Sequence, residues 1–122
     1  MKAGIIGLGH GSRVLIDSFR LSKIEILGVA SKNYSKAKKI SKEKNIKKTY
    51  KNWKLLIKDK NIDIIAVAVP PIFQIKILKD CLIENKIILC EKPIGINMSS
   101  INDFFLLLKN YKKAFLVNYI FA

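Results

Sequence analysis

Six residues near the start of the chain, Gly7-Leu8-Gly9-His10-Gly11-Ser12, have the types and spacing to hold a phosphate without a cationic side chain. In a dinucleotide site the first glycine permits a tight turn and the second lets a pyrophosphate approach the backbone. A small third residue then allows helix and strand to pack closely. Gly7, Gly9 and Ser12 occupy these positions, with serine where glycine or alanine is usual. Backbone N–H groups at a helix start lack intrahelical acceptors, and together with the positive end of the helix dipole they form an anion site. His10, the single histidine, lies in this turn, where it either contacts the ligand or is a solvated turn residue. A glycine-rich turn without a ligand has the same composition, so the flanking elements decide what the string means.

Apolar Ala3-Gly4-Ile5-Ile6 precedes the turn, and Val14, Leu15 and Phe19 come after it at helical spacing, giving strand, turn and helix. Residues 24–30 predict a second, largely buried strand, and Tyr34, Ala37, Ile40 and Ser41 keep helical spacing after it. Lys47 to Tyr50 allows at best a short edge strand, followed by a short helix with Trp53, Leu56 and Ile57 on its core face. Residues 62–69, rich in β-branched side chains and stopped by Pro70-Pro71, give the strongest strand pattern, which belongs mid-sheet. Ile75, Leu78 and Leu82 mark the next helix, and residues 87–90 the strand after it. Ile101, Phe104, Phe105 and Leu108 form a core stripe on a helix entered through Asn97 or Ser99, and residues 115–117 make a last strand. This alternation specifies an α/β fold, a doubly wound and mostly parallel sheet with strand order 3-2-1-4-5-6. Ligands of such sheets sit beyond the carboxyl ends of the strands at the switch point. That gathers Gly7 to Ser12, Ala30 to Lys32, Val69 to Pro71 and Glu91 to Pro93 into one crevice.

A chain of 122 residues, half of them hydrophobic, is expected to be a single domain spanning 1–122. The net charge of +14 raises nucleic acid as a partner, but lysines are spread over every predicted helix and no aromatic residues interleave with a basic stripe. Specific nucleic-acid binding is therefore not expected. The apolar run at 62–69 is too short to span a bilayer and the N-terminus enters a strand directly, so a cytoplasmic protein without membrane contact is expected. Cys81 and Cys90 lie in apolar segments without metal-ligand spacing and are expected to be reduced core thiols, with no metal site.

The segments GIIGLGHGS, ASKNYSKA, IDIIAVAVPP and above all ILCEKPIG, in this order, resemble the N-terminal cofactor domain of the Gfo/Idh/MocA oxidoreductases, a Rossmann fold. The resemblance covers essentially the whole chain. It implies that Lys92 is catalytic, lying near the nicotinamide and the reacting carbon with its ammonium able to orient or polarise a substrate oxygen. It implies also that Pro93 is a cis-proline aiming Lys92, and that Glu91 borders the ribose and nicotinamide side of the cofactor or salt-bridges a nearby lysine. Leu8, Val69, Pro70, Pro71 and Gln74 complete the implied cofactor contacts, with Gln74 where many members carry histidine and Ile120 where arginine often stands. Members continue into a second α/β domain that provides the substrate pocket. Its absence here implies a fragment, a shortened reading frame or a free-standing module.

An NAD site wants an acidic residue at the end of the second strand, to accept hydrogen bonds from the ribose 2′-OH. This chain has Ala30-Ser31-Lys32 and then Lys36, which suit a 2′-phosphate, so NADP is expected, with NAD possible. The resemblance thus implies hydride transfer between a nicotinamide cofactor and a sugar, cyclitol or related hydroxy or keto compound, incomplete without a second domain. A non-catalytic nucleotide-binding or sensing module is the alternative. An apolar surface promoting self-association, or pairing with a separate chain, is expected where the second domain would pack.

Overall fold

A computed structural model of the chain describes residues 1–8, 12–91 and 98–118. Strands β1 (Lys2–Ile6), β2 (Glu25–Ala30), β3 (Lys48–Tyr50), β4 (Ile64–Val67), β5 (Ile87–Glu91) and β6 (Phe115–Asn118) alternate with helices. The helices are α1 (Ser12–Leu21), α2 (Tyr34–Glu43), α3 (Trp53–Lys58), α4 (Pro71–Ile83) and α5 (Met98–Leu108). The strands form one parallel sheet in the order β3-β2-β1-β4-β5-β6, the doubly wound arrangement expected from the alternation. β1 therefore lies at the switch point, flanked by β2 and β4.

Period-two facing builds two cores, one on each side of the sheet. Ala3, Ile5, Ile64 and Ala66 pack with Leu15, Ile16, Phe19, Ala37 and Ile40 of α1 and α2. Ile6, Ile65, Val67, Ile88 and Cys90 pack with Leu56 and Ile57 of α3, Ile77, Leu78 and Cys81 of α4, and Phe104 of α5. The β2 strand breaks this alternation. Ala3 pairs with Ile26 but Gly4 with Gly28, so Leu27 is an extra residue that resets the facing of the rest of the strand. Leu27 and Ala30 consequently join the α3–α4 core, whereas Ile26 and Val29 join the other.

Several boundaries differ from the sequence pattern. β4 ends at Val67 instead of Val69, because its exit is used to enter α4, which has Pro71 in its first turn where a missing N–H costs nothing. Ser99 lies inside α5 and is not its cap; Asn97 is outside the described residues. Phe104 is fully buried, but Phe105, assigned by the pattern to the core stripe, is 45% exposed. Phe105, Leu106 and Leu107 together leave an apolar surface on α5. Neither cysteine is in a disulfide and both are buried, and burial pushes the Cys81 thiol pKa well above its usual value. Among the described residues no helix is long and apolar enough to cross a membrane, and no His, Cys, Asp and Glu cluster could hold a metal.

The short edge strand β3 is secured by one carboxylate. Tyr50 Oη and Lys48 Nζ both donate to Asp59 Oδ2, the lysine at 3.0 Å, and the Asn61 N–H donates to Asp59 Oδ1 at 2.9 Å. The Asp59 side chain is only 12% exposed. The Tyr50 bond is the main reason its pKa falls from 3.8 to about 2, with the Asn61 N–H and Lys48 adding to it against the opposing effect of burial. The buried Lys86 then ties the segment to the foot of β5 by donating to the Asp59 and Ile62 carbonyls.

A depressed carboxylate pKa stabilises the fold above the unfolded value and stops doing so as pH falls through the folded one. Asp59→Asn should cost about 1.5–3 kcal/mol at neutral pH, the usual worth of hydrogen bonds to a charged group. In urea titrations the gap to the unmodified protein should narrow below pH 3.8 and close near pH 2. A gap independent of pH would show that Asp59 acts through shape and not charge.

Candidate functional site

The end of β1 is bonded on both sides at once. The Gly7 N–H donates to the Ala30 carbonyl at 2.8 Å, and the Ala68 N–H donates to the Ile6 carbonyl at 2.7 Å. The chain must leave the sheet between these two bonds, and it does so with Gly7 at φ +90°, where side chains are rare. Space forbids a side chain as well: a Cβ at Gly7 would lie 2.4 Å from the Ala68 oxygen. Leu8 then turns inward and is buried in the α1–α2 core, which anchors the turn from below. Gly9, His10 and Gly11 lie outside the described residues, and Ser12 opens α1.

At the neighbouring strand end, Ser31 comes directly after β2 and its Oγ accepts from the Asn33 N–H at 3.2 Å. Asn33 caps α2, its Oδ1 accepting from the Lys36 N–H at 3.0 Å, which sets Lys36 in the first turn of that helix. Lys32 reaches across to the opposite wall, with its ammonium 3.3 Å from the centre of the Phe73 ring. Val69 and Pro70 lead from β4 into α4 on that wall.

These pieces enclose a cleft of about 470 Å³ beyond the carboxyl ends of β1, β2 and β4. Gly7, Leu8, Ser31, Lys32, Lys36, Val69 and Pro70, all expected from sequence, line it. Pro71 and Gln74 do not, and Gln74 is instead buried in α4 at 1% exposure. Glu91 is the last residue of β5, while Lys92 and Pro93 lie outside the described residues.

Sequence reasoning missed Lys51, Asn52, Trp53 and Phe73, which also line the cleft. The signal for the first three lay in the pairing of β3 with β2. Ala30 pairs with Tyr50, so the residues leaving β3 emerge beside Ser31. Trp53, a core residue by its spacing, is half-buried, its Nε1 donating to Asp80 Oδ2 at 3.1 Å. The cleft thus combines a bare backbone turn, an apolar wall of Val69, Phe73 and Trp53, three lysines and no lining carboxylate among the described residues. Glycine backbone for a pyrophosphate, aromatic surface for a base and cations for phosphate are the donor set a dinucleotide requires, so the residues fit that group.

Fold and cleft define a dinucleotide-binding Rossmann domain. The family model described as the oxidoreductase family, NAD-binding Rossmann fold (GFO_IDH_MocA), matches residues 1–119, and the chain belongs to that family. The trans-1,2-dihydrobenzene-1,2-diol dehydrogenase of Xenopus tropicalis is 35% identical over 80 residues, which are 65% of this chain and 24% of that protein. The structure of Lactobacillus casei myo-inositol dehydrogenase in complex with NAD(H) and myo-inositol superposes with a TM-score of 0.88 at 24% identity, covering 97% of this chain and 36% of that one. Biliverdin reductase from Synechocystis, solved with biliverdin and NADP+, gives a TM-score of 0.87 at 19% identity, covering 96% and 37%. At these identities the two structures attest the fold. The chain spans between 24% and 32% of the length of the curated relatives it matches.

Gly7→Ala tests the turn directly. Positive φ and the clash with the Ala68 carbonyl together should cost about 3 kcal/mol or more. A urea midpoint within error of the unmodified protein would mean that the turn relaxes freely, against the two backbone bonds that hold it.

Proposed function

We propose that this chain is the cofactor half of an NADP(H)-dependent oxidoreductase. It would bind NADP(H) in preference to NAD(H) and serve hydride exchange with a sugar, cyclitol or related hydroxy or keto compound. The observation that carries the cofactor preference is the end of β2, where Ser31, Lys32 and Lys36 line a cleft without a carboxylate among the described residues. An acidic residue there would accept from a 2′-OH and repel a 2′-phosphate; a serine hydroxyl and two ammonium groups do the reverse.

In this reading the turn from Gly7 to Ser12 holds the pyrophosphate through backbone N–H groups, with Gly9 allowing the close approach. Val69, Pro70 and Phe73 form the apolar wall against which the nucleotide rests. The nicotinamide, when bound, supplies the hydride donor or acceptor. Lys92, two residues beyond Cys90 and one beyond the end of β5, would hold and polarise the substrate oxygen, since its ammonium has three donors on a flexible stem. The substrate class rests on the family resemblance and on the inositol and dihydrodiol dehydrogenases among the relatives. Substrate positioning would come from a second α/β domain.

Two measurements test this reading. Calorimetry should find NADP bound more tightly than NAD, and Ser31→Asp should reverse the order. Tighter binding of NAD by the unmodified domain contradicts the proposal. The 122-residue chain alone should also gain thermal stability from NADPH yet oxidise none of it with a panel of sugars and keto compounds. Holding a substrate in near-attack geometry is worth about 7–11 kcal/mol of barrier, which one wall of a cleft does not supply. Turnover by this chain, abolished in Lys92→Ala, would place the whole active site within it.

A further inference from the structure

We infer that Lys51, at the exit of β3, is a specificity-determining residue of the cleft, placed to read a phosphate on the 2′ position of a bound adenosine. This rests on the NADP(H) reading above and adds to it a cation from a different strand.

Position comes first. β2 and β3 run parallel with Gly28 opposite Lys48, Val29 opposite Thr49 and Ala30 opposite Tyr50. Ser31 and Lys51 are the next residues on the two strands, and neighbouring strands lie about 4.8 Å apart. Lys51 thus leaves the sheet beside the serine that would bond a 2′-phosphate, and it lines the same cleft. The register does not depend on β3 alone, which has only three residues. The Asp59 carboxylate holds Tyr50 and Lys48 from outside, and the bare Gly28 admits the Tyr50 ring, where a Cβ would stand 2.4 Å from Cε2.

Charge comes second. Lys48, three residues earlier, is neutralised by Asp59, and Arg13 pairs with Glu43 at 3.6 Å. Lys51 has no carboxylate within ion-pair distance among the described residues, and neither has Lys36. Lys32 is already engaged with Phe73 across the cleft. Of the three lining lysines, none of which has a counter-charge among the described residues, Lys36 and Lys51 also have no ring contact; Lys36 lies in the first turn of α2 and Lys51 directly after β3. A phosphate dianion in the cleft would meet opposite charge from both lysines, partly screened because both are exposed. An adenosine with a free 2′-OH offers Lys51 only a neutral acceptor in place of a dianion, so the residue discriminates instead of merely attracting.

The test uses adenosine 2′,5′-bisphosphate and 5′-AMP, which differ only in the 2′-phosphate, with calorimetry on the full chain. Lys51→Gln should weaken the bisphosphate roughly five- to tenfold, as expected for loss of one nearby, partly screened cation, and change AMP by less than about twofold. Lys51→Arg should keep the preference. Lys54→Gln, which removes the same charge from α3 outside the cleft, should leave both affinities unchanged. An equal fall for both ligands in Lys51→Gln, or the same fall in Lys54→Gln, would reduce the effect to net charge and overturn the inference. A preserved bisphosphate preference in Lys51→Gln would overturn it while leaving the NADP(H) reading intact. Equal binding of the two ligands by the unmodified chain would overturn both.

Discussion

The structure depends on how β1 ends. A central parallel strand is bonded on both edges, so the chain can leave the sheet only when both neighbours have been satisfied. Here the last bonds to β2 and β4 fall on successive residues, Ile6 and Gly7, and the exit must be made at once. A positive φ is the conformation that does so, and the Ala68 carbonyl occupies the space that any side chain would need. Gly7 and Leu8 therefore line the crevice where the chain leaves the sheet. Under the proposed reading, ligand contact through main-chain N–H groups would be a consequence of that geometry, beside two hydrophobic cores.

The crevice is wide enough for a nucleotide because the strands flanking β1 send their own exits in different directions. β4 runs into α4 through Pro70 and Pro71, whose fixed φ values commit the chain to helix immediately and set Phe73 on the wall. β2 instead runs into a capped turn, with Ser31 and Asn33 absorbing N–H groups that would otherwise be unpaired. Lys32, at the exit of β2, links the two walls by placing its ammonium over the Phe73 ring of α4. A cation on a ring face is worth about 0.5–1 kcal/mol where water has access, small enough for a ligand that offers a better partner to displace.

Much of this was legible in the amino-acid sequence, and the parts that were not have identifiable physical causes. Period-two and helical spacing located the elements, because the residues concerned face one of two cores, and the alternation of strands with helices pointed to the sheet order. The bulge at Leu27 was invisible: residues 26–30 carry no charged or polar side chain, so nothing marks the point where facing changes. Ser99 has a side chain suited to a cap, yet the backbone is already helical at Met98. Phe105 fits the stripe by type, but beside Phe104 it lies about 100° around the helix and points away from the core. Gln74 is polar and so reads as a candidate site residue, but it is buried in α4 and does not line the cleft. Lys51, Asn52 and Trp53 escaped because a three-residue edge strand carries almost no periodic signal, although its register determines which residues reach the site.

That dependence on register joins stability to recognition. With a lysine excess of this size, a cation means little by type and much by its surroundings. Lys48 and Lys51 lie three residues apart on one short segment; the first is neutralised by Asp59 and the second is left open toward the cleft. The same carboxylate that neutralises Lys48 also receives Tyr50 and so fixes the strand from which Lys51 emerges. A three-residue strand has few ladder bonds to fix its register, so the Asp59 bonds and the seating of the Tyr50 ring over Gly28 add to them. A hydrogen-bonded group that does not line the cleft thus helps to place a cation that does, and in the proposed reading the edge of the sheet is where the site would draw its selectivity.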